Sequence, residues 1–234
     1  MFKFEKLVFG DLGWGDEFLF AALMTITVSI LSMGLGLCLA ILTVWAKLIK
    51  NKLTRLIANF YTTVVRGVPE LLVIYLIFFG GNTVIMSIAK LFGYNGYIEL
   101  NALTIGTIAI AFISATYSSE VLRAAYLAVN KGQIEAAKAL GLNKFQIFYK
   151  VMGPQILRNA LPGIGNVWQI TLKDTSLISV TGLVEIMRQT RIASNVEHSP
   201  LTFLITAALL YLFLTTFSGK FFKVLEFNYS KGYN

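Results

Sequence analysis

Charge is scarce in this sequence, and so are histidine, cysteine and proline. Of 234 residues only 14% are charged and 56% are hydrophobic, whereas charged residues make up nearer a quarter of a soluble domain. Too little polar surface is left to cover a soluble globule, and the chain reads as a membrane protein. The single cysteine, Cys38, lies inside an apolar run. It excludes an intrachain disulfide and acts there as a small apolar residue. The single histidine, His198, excludes metal or triad chemistry built on histidine, so no catalytic residue and no metal site are expected. Nor is there a GxxxxGKS/T phosphate loop: the nearest dipeptide, Gly219-Lys220, has Leu214 five positions ahead of the glycine and Phe221 behind the lysine. ATP, if it drives anything here, is hydrolysed by another polypeptide.

What the chain does have is length without charge. Phe18–Ala46, Leu71–Ala89, Leu100–Ser119 and Ser199–Gly219 each lack Asp, Glu, Lys, Arg and His, and each reaches the roughly 18 to 20 residues that cross a hydrocarbon core. Gln155–Leu172 is broken by Arg158, Pro162, Asn166 and Gln169, yet a polar helix buried in a bundle need not look lipid-facing, so it counts as a further span. The expected fold is all-α, one transmembrane domain over residues 1–234 with five spans. With the N-terminus outside and the C-terminus inside, the inner segments hold 14 of the 20 basic residues against 4 of the 12 acidic ones. That is the bias of the positive-inside rule, and the net charge of +8 needs no nucleic acid to explain it. Residues 1–17 are charged and precede a run too long for a signal peptide; they read as an interfacial segment resting Phe2, Phe4, Phe9 and Trp14 at the headgroups.

Residues 131–165 form a polar, basic stretch among the apolar runs. Alanines and leucines interspersed with Glu135, Lys138 and Lys144 suit a helix outside the bilayer. Gly141 interrupts it and turns one short helix into a second, Asn143–Val151. Small Ala136 and Ala137 let another surface approach, with Glu135 placed to meet a basic group. The shape suits docking of a soluble partner.

Glu135-Ala136-Ala137, then Gly141 after three intervening residues, then Val151 and Pro154, resembles the EAA loop of the membrane subunits of ABC importers; Val151 stands where that pattern usually has isoleucine and Gly153 where it has leucine. RGVPELLVIYLIFFG (Arg66–Gly80) and ALPGIGNVWQITLKDTSL (Ala160–Leu177) are similar to the permeases for polar amino acids, the histidine, arginine, glutamine and opine group. The likeness runs from about Thr25 to Tyr229. It implies the type I importer permease fold in a bacterial cytoplasmic (inner) membrane, with alternating access driven through Glu135, Ala136, Ala137 and Gly141. The implied partners are a second permease chain (homo- or heterodimer), two ABC ATPase copies that bind the ATP and Mg, and a periplasmic or extracellular amino-acid-binding protein. No cofactor belongs to this chain.

Candidate pathway residues follow from polar groups within spans. Arg66 and Glu70 stand four apart around Gly67 and Pro69, so a helical pair at the inner mouth, with Gly67, makes a candidate gate. Glu120 either pairs with Arg123 at the interface or faces a water-filled pathway. Asn166, Gln169 and Lys173 recur on one helical face, and Asp174 follows. Turned to lipid, each charge would cost roughly 2.5 to 3.5 kcal/mol. Either these groups contact the substrate, supplying carboxylate donors and ammonium acceptors, or Lys173 and Asp174 neutralise each other while the amides bond across helices. If Glu120 and Asp174 both face the pathway, they suit a cationic amino acid; if only the amides do, glutamine or a similar neutral solute fits as well. Thr175–Leu183 is too short to span and reads as a re-entrant or outer turn, and Val184–Asn195 as an outer amphipathic helix with solvated Arg188 and Arg191. A homo-oligomeric channel or an ion-coupled secondary transporter is the alternative, but neither explains the docking loop, and an inverted repeat is not evident.

Overall fold

The computed structural model describes residues 3–11, 13–94, 96 and 101–230, and they are helical almost throughout. The start of the third expected span at Leu100, and Phe2 and Lys231, lie outside the described residues. In chain order the helices are α1 (Gly15–Leu48), α2 (Lys52–Gly67), α3 (Glu70–Tyr75), α4 (Gly81–Leu91), α5 (Ala102–Leu127), α6 (Lys131–Ala139), α7 (Lys144–Ile147), α8 (Gly153–Asp174), α9 (Ile186–Glu197) and α10 (Pro200–Ser230). A π-helical turn, Leu76–Gly80, joins α3 to α4 into one rod, Glu70–Leu91.

Four asparagines start these helices. The side chains of Asn51, Asn101, Asn130 and Asn143 accept from the amides of Leu53, Leu103, Gly132 and Gln146 at 2.8 to 2.9 Å. Each satisfies a donor that the first turn leaves open, which stabilises a helix by about 1 kcal/mol. Gln146 returns the bond to the Asn143 amide at 3.0 Å and closes a capping box at α7.

Four helices, Gly15–Leu48, Glu70–Leu91, Ala102–Leu127 and Pro200–Tyr229, are long and apolar enough to cross a membrane. Their burial differs sharply: 67% of the apolar window of α5 is buried, against 11% for Glu70–Leu91 and 17% for α10. Helix α5 is therefore the centre of the bundle, and the others turn apolar faces outward. Helix α1 lies along it at close range. Ser32 Oγ donates to the Thr107 carbonyl at 3.1 Å, and a Cβ on Gly36 would sit 2.2 Å from Ser114 Oγ and 3.1 Å from the Ala111 carbonyl oxygen. Ser29, Ser32 and Gly36 thus form the close-packing stripe, while Gly34 faces open space. Val28, Val65, Ile74, Ile110 and Ile178 complete the core between α1, α2, α3, α5 and the turn after α8.

Helix α8, 22 residues and about 33 Å long, packs on α5, α10 and α1. It continues as a 3-10 helix, Thr175–Thr181, that ends at Gly182 and folds Ile178 into the core. Glu185 then caps α9. Its carboxylate is fully buried and accepts from the Arg188 and Met187 amides at 2.7 and 2.9 Å and from Tyr211 Oη at 3.0 Å. One carboxylate so joins α9 to α10, and the neighbouring Ile186 amide donates to Thr25 of α1 at 3.3 Å. Arg188 is half-buried with its Nε shielded from solvent, so α9 is more deeply seated than its amphipathic sequence suggests.

Candidate functional site

Two polar regions separate from the apolar bundle. One is a surface built by α6 and α7, the other a cavity between α1, α2 and α5.

In the first, α6 ends at Leu140, and Gly141 follows at φ +77°. That left-handed conformation costs an L-residue roughly 1 to 2 kcal/mol, which is why a glycine ends the helix here. Chain direction reverses and Asn143 starts α7. The second short helix does not end at Val151, as the sequence suggests: a π-helical turn, Phe148–Met152, carries α7 directly into α8. Any push on α7 is therefore delivered along α8. The alanine pair divides: Ala137 is buried against the chain itself, while Glu135 and Ala136 face outward. Leu140, Phe145 and Tyr149 are 71% to 80% exposed, and the last two stack at 6.3 Å. Sequence reasoning passed over these larger exposed apolar groups. Gln155 Nε2 donates to Gln133 Oε1 at 2.6 Å and to the Val151 carbonyl at 2.8 Å, fastening α6 to the foot of α8.

The second region is a cavity of about 530 Å³ lined by Lys47, Asn59, Thr63, Arg66, Gly67, Tyr117 and Glu120, among others. Glu120 bonds Lys47 of α1 and accepts from Arg123 Nη2 and Nε at 3.0 and 3.1 Å. Lys47 Nζ also donates to Thr62 Oγ1 at 2.7 Å. Glu120 pairs with Arg123 and at the same time lines the cavity. Arg66 and Glu70 do not pair. Gly67–Pro69 breaks the helix between them, with Val68 extended at φ −109°, ψ 145°. Arg66 instead lies over the Tyr117 ring, 5.4 Å from its centroid, and Tyr117 Oη donates to Glu70 Oε1 at 3.1 Å. The Asp174 carboxyl also lies near enough to that of Glu70 for the two charges to act on each other. Like charges this close repel unless a proton or a cation lies between them.

Of the polar face on α8, Asn166 and Lys173 are exposed and Asp174 is buried. Gln169 turns away to α10, donating to the Thr215 carbonyl at 3.1 Å and to Ser218 Oγ at 3.4 Å; this is the cross-helix bonding of an amide that the sequence left open. Helical spacing alone does not register that α10 offers a carbonyl there. Asp174 looks to Glu70, so it is not simply neutralised by its neighbour Lys173.

The N-terminal segment docks on the protein itself. A 3-10 turn, Phe4–Leu7, precedes α1, and Lys3, Lys6 and Trp14 converge on Glu197 at the end of α9, at 3.4, 3.6 and 3.4 Å. The Trp14 ring packs edge-on against Phe203 at 6.5 Å, so it is held by the chain where the sequence reading had it at the headgroups; Phe9 is 70% exposed. Desolvation pushes the Glu197 carboxyl up, but the Trp14 and Lys3 hydrogen bonds and the Lys6 and Lys3 charges outweigh it and hold the group below the usual glutamate range. A depressed carboxyl stabilises the docked form above its unfolded pKa, and that contribution disappears as pH falls through the folded value. Trp14 fluorescence, in a Trp45→Phe, Trp168→Phe background, is accordingly expected to shift red as pH falls from about 6 to about 3, and Glu197→Gln to show the shifted spectrum already at neutral pH. A Gln variant indistinguishable from the parent at neutral pH would show that the docked form does not depend on this charge.

The model of the family described as binding-protein-dependent transport system inner membrane component matches residues 32–231. The nopaline transport system permease protein NocQ of Agrobacterium fabrum is 50% identical over 221 residues, 94% of each chain. The histidine/lysine/arginine/ornithine transport system permease protein HisQ of Escherichia coli is 38% identical over 220 residues, 94% of this chain and 96% of that one. Among solved structures, a chain of an amino acid ABC transporter crystallised with histidines superposes with a TM-score of 0.78 at 29% identity, covering 92% of this chain and 95% of that one.

Proposed function

Since the chain belongs to the family of binding-protein-dependent transport system inner membrane components, we propose that it is the permease subunit of an ATP-driven importer for a cationic amino acid or opine. The observation that carries the substrate class is the carboxyl pair of Glu70 and Asp174 beside Arg66 and Tyr117. A positive side chain placed between the two carboxyls removes their repulsion, while Arg66 is free to meet a substrate carboxylate once it leaves the Tyr117 ring. Glu120, clasped by Lys47 and Arg123, holds α1 to α5 below that pair and acts on the pathway by position. Gly67, with open space beside it, is the pliant joint of the gate between Arg66 and Glu70. Asn166 and Lys173 are the exposed groups of α8 nearest in helical register to the site.

Five crossings follow if α8 counts as a span, with the N-terminus outside. The α6–α7 surface then faces the cytoplasm. A separate ATPase hydrolyses ATP; we assign one ATPase copy to the Glu135–Tyr149 surface of each of two permease chains, and a solute-binding protein to the outer face. Closure of the ATPase pair draws the two surfaces together, and because α7 runs into α8 the movement reaches Asp174 through one helix. Alternating access results.

The test is ATP hydrolysis by the reconstituted complex with and without loaded binding protein. Gly141→Asp places a charge at a turn where nothing lies within 4 Å and where aspartate tolerates positive φ, so the chain still folds. Stimulated hydrolysis is expected to fall at least about tenfold, because the added carboxylate must lose its water when the surface docks. Full stimulation in this variant, or failure of the parent chain to associate with the ATPase, overturns the assignment of the coupling surface.

A further inference from the structure

From Phe18 to Pro69 the chain has no acidic residue, yet it carries Lys47, Lys50, Lys52, Arg55 and Arg66. Lys47 and Arg66 are engaged at the cavity. Lys50, Lys52 and Arg55 are exposed, grouped at the α1–α2 turn and the first turn of α2, and form no ion pair among the described residues. Immediately beside them opens an apolar groove of about 390 Å³ between α1 and α2. It begins at Ala46 and Leu53, next to the turn, passes Leu42 and Ile57, and ends at Leu39 and Phe112. The same side of α2 leaves Leu53, Leu56, Ile57 and Phe60 between 61% and 68% exposed, and Trp45 on α1 63% exposed.

Helix α2 thus has a polar edge, Asn59, Thr63 and Arg66, on the substrate cavity, and an apolar edge on this groove. A ligand for the groove must be apolar along its length and anionic at one end, where the cations are. We propose that it is an anionic phospholipid of the inner leaflet, with an acyl chain between α1 and α2 and its phosphate at Lys50, Lys52 and Arg55. Exposed tryptophan at Trp45 marks the headgroup level on the adjoining helix. A second copy of this chain fits less well, because its acidic stretch, Glu5, Asp11, Asp16 and Glu17, lies at the start of α1, the end opposite the three cations. The lipid wedges α2 against α1 and so sets the helix that carries Arg66.

The inner-leaflet assignment rests on the inward placement of the α1–α2 turn proposed above. A Cys38→Ser, Lys50→Cys chain labelled by an impermeant maleimide only in inverted vesicles reads that placement by itself. The lipid is tested on the assembled importer, delipidated in detergent and offered equal amounts of phosphatidylglycerol and phosphatidylcholine with matched acyl chains, with bound lipid counted by native mass spectrometry. Phosphatidylglycerol is expected to be retained preferentially. Removing the cations in Lys50→Gln, Lys52→Gln and Arg55→Gln lowers that preference by about fivefold each, and Ile57→Trp, which fills the groove, lowers retention of both lipids. Equal retention of the two lipids by the parent, or an unchanged preference in the triple variant, overturns the proposal. So does a disulfide between two copies of an Ile57→Cys chain in the Cys38→Ser background, which would put another protein chain in the groove.

Discussion

Asp174→Asn is expected to reduce uptake of a basic amino acid on the order of a hundredfold while the subunit still folds and assembles. Asparagine keeps the shape of the side chain, and its amide is able to donate to a nearby carboxylate. What it removes is the ability of this buried group to carry a second negative charge beside Glu70 once a cation arrives. Truncating one member of a buried charge pair costs about 2 to 5 kcal/mol, and the cation of the substrate is here the missing partner of the two carboxyls. Glu70→Gln is expected to act in the same direction, and because the residues touch, the double variant should fall short of the sum of the two. Lys173→Gln serves as the control: it sits next in sequence but is exposed, and its effect should stay within about threefold, the scale of a screened surface charge. Uptake measured in vesicles with saturating binding protein decides the matter. Unchanged uptake by Asp174→Asn would make the carboxyl pair a structural contact only.

Gly36→Leu is expected to abolish a stable bundle, and Gly34→Leu to be tolerated. The two glycines stand two residues apart on α1, and composition does not distinguish them. At Gly36 even a Cβ would lie 2.2 Å from Ser114 Oγ and 3.1 Å from a backbone oxygen of α5. The hydroxyl can rotate away, but the carbonyl belongs to the central helix and cannot, so α1 must lift from α5 along the contact that Ser32 and Thr107 also make. Overpacking of this kind costs typically 1 to 3 kcal/mol and more for a branched side chain. At Gly34 nothing lies within 4 Å, and exchanging glycine for a good helix former there contributes up to about 1 kcal/mol. Thermal unfolding in detergent should give shifts of opposite sign. A Gly36 variant as stable as its parent would mean that α1 and α5 do not pack at this distance.

Helical existence and membrane character were legible residue by residue. A run such as Phe18–Ala46 has no other stable form in a bilayer, because every backbone amide must find its partner within the segment. The turn at Gly141 was legible for the same local reason, positive φ. Partners of polar side chains were not. Spacing placed Gln169 with Asn166 and Lys173, but α10 presents the Thr215 carbonyl, and the amide follows it. Spacing paired Arg66 with Glu70, but the break at Gly67–Pro69 turns them apart, toward the ring and the hydroxyl of one tyrosine, Tyr117. Glu185 escaped notice because glutamate is not a favoured helix cap; its buried role depends on Tyr211, 26 positions later.

By itself, the sequence determined that this chain lies in a membrane, that it is helical, and that a glycine turns the chain at position 141. Each of these depends on composition or on residues within one or two helical turns. Only the tertiary structure decided that Asp174 lies near Glu70, that Glu120 joins α1 to α5, and that α7 runs into α8 through a helical turn. Contacts between helices depend on how each rod is rotated and how closely it packs, and those are set by small residues such as Gly36 that carry no chemistry of their own.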